Sequence, residues 1–150
     1  MKGNPKISVI IVCKNSGKTI EKAFDSMDHQ FLLATLNKFG FGAFFIDWIK
    51  TLLNKNESCV INGGVTSQYF SLARGARQGD PIAAYLFIVA LEIFFIMIRA
   101  KSDIRRLKMF ENEFIISAYA DDTTFFVQDI DSVRLILEVF NTFSTFAFLN

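Results

Sequence analysis

The chain has 150 residues, of which 51% are hydrophobic and 18 are phenylalanine, and this composition argues against intrinsic disorder. A formal net charge of +1 gives, on its own, no electrostatic signal of a nucleic-acid-binding domain. The single histidine, His29, excludes a histidine-based metal cluster or catalytic triad. Cys13 and Cys59 have neither metal-binding nor disulfide spacing, which is typical of an intracellular, reducing compartment such as the nucleus or cytoplasm.

The first part of the chain is predicted to hold a strand followed by two helices. Residues 7–13 form a continuous β-branched run, which is typical of a strand buried inside a sheet. One helix is predicted from about Thr19 to Lys38, with Gly40 as a suitable C-cap, and a second from about Ala43 to Asn54. The apolar stripes are expected to comprise Phe24, Phe31 or Leu32, Leu36 and Phe39 in the first helix, and Phe45, Trp48, Ile49, Leu52 and Leu53 in the second.

Two hairpins and two further helices are predicted after them. Residues 58–72 are predicted to form a hairpin because Asn62-Gly63 is a strong signal for a type I′ turn. A long helix is predicted over residues 81–99, a hairpin with two adjacent aspartates at its tip over 114–128, and a last helix from an N-cap near Asp131. The last helix is expected to point Val133, Ile136, Phe140 and Phe143 inward. This order of elements predicts an α+β fold, with helices packed on one face of a largely antiparallel sheet.

The apolar segment of residues 81–98 is also long enough to cross a bilayer. Glu92 lies near its middle, where a carboxylate costs roughly 3 kcal/mol, and this argues against a membrane span. Asp80 as an N-cap and Pro81 in the first turn favour a buried helix in a soluble core. No membrane contact is therefore expected, and a non-catalytic membrane or interaction protein is retained as an alternative.

The segment "SAYADDTTFF", residues 117–126, places Asp121 beside Asp122 in an apolar and β-branched run. Strands disfavour Asp and adjacent like charges repel, so a compensating positive charge is expected. A carboxylate pair at a tight hairpin tip suits a hard divalent cation such as Mg²⁺, which keeps coordination positions open for substrate phosphates. The alternative is an ordinary polar turn. Upstream, "RGARQGDP" (74–81) fits either a flexible connection before a helix or a phosphate-binding segment with small residues and arginines.

Three segments occur in a fixed order: "EKAFDSMDH" (21–29), "RQGDPIAAYLF" (77–87) and "YADD" (119–122). They resemble the palm motifs of the reverse transcriptases of non-LTR, LINE-like retrotransposons, written D-x-x-K-A-F-D-x-x-x-H, R-Q-G-D-P-L-S-P-x-L-F and F/Y-A-D-D. The resemblance covers roughly residues 21–145. It implies an α+β polymerase palm, an RNA-directed DNA polymerase activity, and an RNA template, a DNA primer and dNTP as partners.

The same resemblance implies roles for individual residues. Two Mg²⁺ ions roughly 4 Å apart, with Mn²⁺ as the alternative ion, are expected to support nucleotidyl transfer. Asp121 and Asp122 would be the catalytic metal ligands. Phe24 would lie under the sugar and exclude a 2′-hydroxyl. The substrate-binding residues implied are Phe24, Arg77, Gln78, Gly79 and Tyr119.

The first motif departs from the family pattern at its main metal ligand. The family has an Asp three residues before the lysine that corresponds to Lys22, and here Thr19, a poor Mg²⁺ ligand, takes its place. On one continuous helix Glu21, Asp25 and Asp28 would point away from the direction of residue 19. The family's metal site would have three carboxylates, from the first-motif Asp and the two aspartates of "YADD". Losing one of them should lower the rate of nucleotide addition by orders of magnitude. The sequence therefore predicts a truncated palm, without fingers and thumb, that is inactive alone and binds nucleic acid weakly or not at all.

The N-terminal residues differ from the rest of the chain. "NPKISVIIVCKNSGKTIEKAFDS" (4–26) resembles the start of GT-A inverting glycosyltransferases, in which a similar strand precedes a nucleotide-sugar loop. One hypothesis is that residues 1–20 are a glycosyltransferase-like strand and turn, joined to a truncated palm over residues 21–150. The alternatives are a degenerate retrotransposon copy that has drifted at its 5′ end, and a GT-A-like glycosyltransferase fragment. The last alternative predicts a D-x-D metal motif, and the adjacent aspartates of "YADD" lack that spacing.

Overall fold

The structure is a computed structural model that describes residues 9–13, 26–54, 57–71, 75, 81–119 and 122–148, and for residues 9–13 and Asp122 the backbone only. In chain order its elements are β1 (Val9–Cys13), α1 (His29–Lys38), α2 (Ala43–Leu53), β2 (Glu57–Ser58), β3 (Ile61–Asn62), β4 (Val65–Thr66), β5 (Phe70–Ser71), α3 (Ala83–Ala100), β6 (Leu107–Met109), β7 (Asn112–Phe114), β8 (Ile116–Tyr119), β9 (Asp122–Val127) and α4 (Ile130–Ala147). Within these residues every strand pair is antiparallel, so the predicted α+β class is confirmed.

The chain divides into two compact units. The first unit comprises Met1–Glu21 and Leu91–Thr145, and the second comprises Lys22–Ala90 and Phe146–Asn150.

The first unit contains a three-stranded sheet in the order β1-β9-β8. Strand β1 pairs with β9 over five residues, from Val9 opposite Val127 to Cys13 opposite Thr123. Strand β8 pairs with the other side of β9. The strand predicted over residues 7–13 and the central part of the hairpin predicted over 114–128 are therefore present.

Aromatic side chains form the core of the first unit. Phe94 of α3 is 6% exposed, and its ring centroid lies 6.0 Å from that of Phe125 in β9. The rings of Phe140 and Phe143 in α4 lie 5.7 Å and 5.5 Å from the ring of Phe94. Edge-to-face and tilted pairs at these separations add to the stabilisation from burial alone. Phe94 of α3 thus contacts both β9 and α4.

The last helix begins at a different cap from the one predicted. The carboxylate of Asp129 accepts the backbone N–H of Ser132 at 2.8 Å, which makes Asp129 the N-cap of α4. Asp131, predicted as the cap, lies in the first turn and pairs with Arg134 at 3.1 Å. The inward positions Ile136 and Phe143 are buried as predicted, whereas the predicted Val133 is half-buried and Phe140 is 45% exposed.

In the second unit, the helix predicted from Thr19 to Lys38 does not run through Asp28. Asp28 is extended, with φ −71° and ψ 127°, and α1 begins after it. The carboxylate of Asp28 accepts the N–H of Phe31 at 2.7 Å, so Asp28 is the N-cap of α1. The predicted residues before Ser26 lie outside the described residues.

The C-terminus of α1 agrees with the sequence prediction. Gly40 has φ +81°, its N–H donates to the carbonyl of Asn37, and the N–H of Phe41 donates to the carbonyl of Leu36. This is the hydrogen-bond pattern of a Schellman cap, and glycine suits it because it has no Cβ. The following α2 buries Ile49 and Leu53 of its predicted stripe. Phe45 is half-buried, and Trp48 and Leu52 are exposed.

The hairpin predicted over residues 58–72 is present, with its turn one residue later than expected. Asn62 pairs with Val65, so the two turn residues are Gly63 and Gly64, with φ +58° and +83°. Positive φ at both positions is the requirement of a type I′ turn. Two residues separate Ser58 from Ile61 on one arm of the hairpin, whereas three separate Thr66 from Phe70 on the other arm. One extra residue on one strand is typical of a β-bulge.

Helix α3 begins at Ala83, two residues after the predicted start, and Pro81 and Ile82 form a turn before it. Its 18 residues have a mean hydropathy of 2.1 and are 39% buried, so among the described residues it alone is long and apolar enough to cross a membrane, a test that a core helix also passes. Glu92 pairs with Arg99, about two turns further along the same face of this helix. The buried positions follow a helical period and are Ala83, Leu86, Phe87, Ala90, Phe94, Phe95 and Ile98.

The β6–β7 hairpin was not predicted. Its turn places Phe110, a bulky residue that is 99% exposed, at φ +56°, where glycine or asparagine is usual. Because the turn residues are Phe110 and Glu111, neither of them glycine or asparagine, the sequence does not indicate a turn here. Lys108 and Glu113 face each other across the hairpin at 2.8 Å, and the hydrogen bond from Lys108 holds the pKa of Glu113 below its usual value.

Candidate functional site

The end of the β8–β9 hairpin includes Asp122, one of the two predicted metal ligands. Tyr119, the last residue of β8, pairs with Asp122, the first residue of β9, and only Ala120 and Asp121 separate them in sequence. Tyr119 is 86% exposed. Ala120 and Asp121 lie outside the described residues. The backbone of Asp122 thus has the position at the hairpin end that the sequence predicted, and its role as a ligand stays a prediction.

The other predicted site residues lie outside the part of the chain that the structure describes. They are Phe24, Arg77, Gln78, Gly79 and Asp121, together with Thr19 and Asp80. The roles assigned to them remain predictions. Among the described residues, no group of three or more His, Cys, Asp or Glu side chains could hold a metal ion. Since Asp121 is outside that set, this finding does not bear on the aspartate pair.

Strand β1 ends beside the start of β9. Because the two strands are antiparallel, Cys13 at the end of β1 is opposite Thr123, the neighbour of Asp122. The sequence predicted a buried strand here and gave no signal for its partner. The C-terminal end of β1 therefore lies at the same end of the sheet as Asp122.

Asp28, an acidic residue of the first motif, has a structural role. The carboxylate of Asp28 is occupied by the N–H of Phe31, and the backbone N–H of Asp28 donates to the carbonyl of Ala147 at 2.9 Å. The prediction that Asp28 lies on one continuous helix with residue 19 was wrong. That it does not replace the missing aspartate stays a prediction, and one of its carboxylate oxygens serves as the helix cap.

The histidine at the end of the first motif makes a contact that the sequence did not reveal. The Nε2 atom of His29 lies 2.7 Å from the carbonyl oxygen of Gly75, and a carbonyl only accepts, so Nε2–H donates. The N–H of Gly75 in turn donates to the carbonyl of Met27 at 3.0 Å. Gly75 lies two residues before the "RQGDP" segment. A contact over 46 residues has no local sequence signal.

Comparisons with known proteins agree with the motifs. The family model "Reverse transcriptase (RNA-dependent DNA polymerase)" matches residues 19–150. The chain is 38% identical over 111 residues to the Transposon TX1 uncharacterized 149 kDa protein of Xenopus laevis, which covers 73% of this chain and 8% of that protein. It is 25% identical over 126 residues to the Retrovirus-related Pol polyprotein from type-2 retrotransposable element R2DM of Drosophila melanogaster, covering 84% of this chain and 12% of that protein.

A third relative is the Retrovirus-related Pol polyprotein from type-1 retrotransposable element R2 of Popillia japonica. It is 30% identical over 73 residues, which are 49% of this chain and 12% of that protein. The chain thus spans only 8% to 12% of the length of these curated relatives. The family match covers most of the chain and contains all three motifs. The chain therefore belongs to the reverse transcriptase family, as a segment of the kind found in non-LTR, LINE-like retrotransposons.

Proposed function

We propose that this chain is the palm segment of an RNA-directed DNA polymerase and that Asp121 and Asp122 are its catalytic metal ligands. The observation that carries the proposal is the antiparallel pairing of Tyr119 with Asp122, which puts Asp122 at the end of a hairpin inside the family match. Carboxylate oxygens are the ligands that Mg²⁺ prefers, so the donor set fits the divalent metal that this family normally uses. Bound there, Mg²⁺ or Mn²⁺ would stabilise the charge on the attacking and leaving oxygens of nucleotidyl transfer.

The proposal includes the substrate side of the site. The family implies a nucleic-acid template and nucleotide substrates, and we assign to this chain an RNA template, a DNA primer and dNTP. The 86% exposure of Tyr119 supports its availability to a substrate. Aromatic and arginine side chains suit this task because the former stack on bases and sugars and the latter bind phosphate. The proposed substrate-binding residues are Phe24, Arg77, Gln78, Gly79 and Tyr119.

The chain as it stands is proposed to be catalytically defective. Thr19 is neutral where the motif has its first aspartate, and Asp28 is committed to a helix cap. A net charge of +1 also offers few contacts for phosphates, so the affinity for a primer–template is expected to be low. Metal binding through two carboxylates and slow or undetectable nucleotide addition are the expected combination.

Direct binding measurements test the proposal. The 150-residue chain is titrated with a fluorescent dNTP, a primer–template duplex and a fluorescent nucleotide-sugar, each with Mg²⁺ and with EDTA. The expected result is Mg²⁺-dependent dNTP binding that is lost in Asp121→Asn and Asp122→Asn and kept in Asp47→Asn, an exposed carboxylate on α2. Binding of the nucleotide-sugar without any binding of dNTP or primer–template would refute the polymerase assignment.

The origin of residues 1–20 is a separate proposal. The resemblance of these residues to a glycosyltransferase start supports a join near residues 20–26. Long single-molecule reads of the transcript over codons 1–30 test it. Reads that run continuously through the join support a chimeric protein. Reads that end or diverge near codon 20 show that the N-terminal residues belong to a different transcript.

A further inference from the structure

The backbone of Gly75 is held on both sides by the segment that ends the first motif. Its N–H donates to the carbonyl of Met27 at 3.0 Å, and its carbonyl accepts from His29 Nε2 at 2.7 Å. Gly75 is buried and has φ +70°, a conformation that residues with a Cβ rarely adopt. One residue is thus fixed in a left-handed conformation by two hydrogen bonds to residues almost fifty positions earlier.

The hydrogen bond of His29 lies in a confined and mostly apolar place. A cavity of about 10 Å³ adjoins it. Besides His29 and Gly75, the lining includes Leu32 of α1 and Ala83, Leu86 and Phe87 of α3. This volume is at the lower limit for one water molecule, and apolar walls offer such a water few partners. If the imidazole were replaced by a side chain of similar size without a donor, the Gly75 carbonyl would be left without an equivalent partner.

The position of Gly75 in the sequence gives this contact its significance. Gly75 comes two residues before Arg77 and three and four residues before Gln78 and Gly79, which are the proposed substrate-binding residues. His29 is the last residue of the first motif and comes ten residues after Thr19, the position of the missing metal ligand. The pair His29 and Gly75 therefore connects the end of the first motif to the start of the second.

We propose that His29 is a positioning residue: its Nε2–H bond to Gly75 fixes the backbone from which the segment carrying Arg77, Gln78 and Gly79 starts. It touches no substrate and acts through Gly75. The substrate-binding part of this inference rests on the proposed function, whereas the anchoring of Gly75 does not. Loss of the donor releases the Gly75 backbone and weakens nucleotide binding, while the rest of the fold remains.

Two donor-free variants and one donor-retaining variant test this proposal in the 150-residue chain. His29→Phe keeps a ring, and His29→Leu is a second donor-free change if the phenyl ring disturbs packing. His29→Gln carries an amide donor that reaches about as far as Nε2. Hydrogen exchange of the Gly75 amide measures the anchor, and the Kd for a fluorescent dNTP with Mg²⁺ measures its consequence. Amides of α2, in the same unit as His29 and Gly75, and of β9, in the other unit, report whether each variant is folded.

The donor-free variants are expected to exchange the Gly75 amide about tenfold faster or more, and to raise the dNTP Kd by a similar factor. His29→Gln is expected to stay close to the wild type in both. Unchanged Gly75 exchange in a folded donor-free variant overturns the anchor, as does a His29→Gln variant that behaves like His29→Phe. Faster exchange with an unchanged Kd overturns the positioning role. If the wild type itself binds no dNTP, the proposed function fails, and Gly75 exchange alone still decides the anchor.

Discussion

The hydroxyl of Ser132 accepts the backbone N–H of Arg105 at 2.9 Å, and this bond connects the chain after α3 to the first turn of α4. Ser132 is 1% exposed, one of few buried polar side chains among the described residues. Nearby, the Arg105 carbonyl accepts the N–H of Gln128 at 3.0 Å, and its guanidinium lies 3.3 Å from the Asp129 carboxylate. Ser132 thus holds Arg105 at the start of α4, and Arg105 in turn holds Gln128 at the end of β9.

Ser132→Ala is predicted to lower the free energy of unfolding by about 1–3 kcal/mol. The substitution leaves the N–H of Arg105 in a partly buried setting without its acceptor, and alanine cannot replace the hydroxyl. Chemical denaturation of the chain measures the change. Ser144→Ala is the matched control on the same helix, because the Ser144 hydroxyl bonds only to the Asn141 carbonyl within an exposed helical turn. Equal effects of the two substitutions would contradict the role assigned to Ser132.

The Asp129 cap is predicted to make stability depend on pH in the acidic range. The backbone N–H of Ser132, then its hydroxyl, and more weakly Arg105 hold the pKa of Asp129 below its usual 3.8. Because the folded-state pKa is the lower one, the stabilisation is present above 3.8 and is lost as the pH falls through the folded value. Asp129→Ala should therefore lower Tm by a few degrees at neutral pH.

A Tm series from neutral pH to below 3.8 measures this effect. The gap between wild type and Asp129→Ala should narrow as the pH falls. Asp131→Ala is the control, because the Asp131 side chain is 79% exposed and only pairs with Arg134. Such an exposed pair contributes little to stability. A gap that stays constant with pH would show that the charge of Asp129 is unimportant.

Asp129 and Asp131 show that the sequence could predict helix α4 but not the residue at which it begins. Asp129 and Asp131 both precede the apolar period of α4, and either is an acceptable N-cap by residue type. The choice between them depends on Ser132 and Arg105, and the Arg105 contact spans 27 residues. The helix was therefore predictable and its exact start was not. The break before α1 is similar, because Asp28 is held by a bond to Ala147.

Local signals were sufficient where the physical cause is local. The Schellman cap at Gly40 and the type I′ turn depend on glycine at positive φ, which sequence reveals directly. Even there, the sequence "NGG" allows the two turn residues to be either Asn62-Gly63 or Gly63-Gly64. The pairing of Asn62 with Val65 shows that they are Gly63 and Gly64. The pairing of β1 with β9 joins residues more than a hundred positions apart, so the pattern predicted the strand and could not predict its partner. For the site, the motifs predicted a hairpin end at Asp122, whereas the contact between His29 and Gly75 has no local signal.

Phe94→Ala is predicted to cost about 3–5 kcal/mol of unfolding free energy. The ring of Phe94 contacts Phe125, Phe140 and Phe143, so its removal leaves a cavity among aromatic side chains. Phe44→Ala is the control, because Phe44 is 89% exposed on α2 and its loss should change stability by less than about 0.5 kcal/mol. Denaturant titration of both variants measures the difference. A Phe94→Ala effect as small as that of Phe44→Ala would show that this aromatic cluster is not the core of the first unit.

Thr19→Asp is predicted to tighten Mg²⁺ binding by about tenfold or more, because affinity for a hard cation rises with the number of carboxylate ligands. Residue 19 is the position at which the family's first motif has its aspartate. Isothermal titration with Mg²⁺ and with Mn²⁺ measures the change in the 150-residue chain. Thr19→Asn is the matched control, since asparagine has the shape of aspartate without its charge and should leave the affinity near that of the wild type. The gain should also disappear when Thr19→Asp is combined with Asp121→Asn, because both carboxylates would serve the same ion. A gain that survives in the double variant would mean that the new carboxylate binds metal elsewhere, and the assignment of residue 19 to the catalytic site would be wrong.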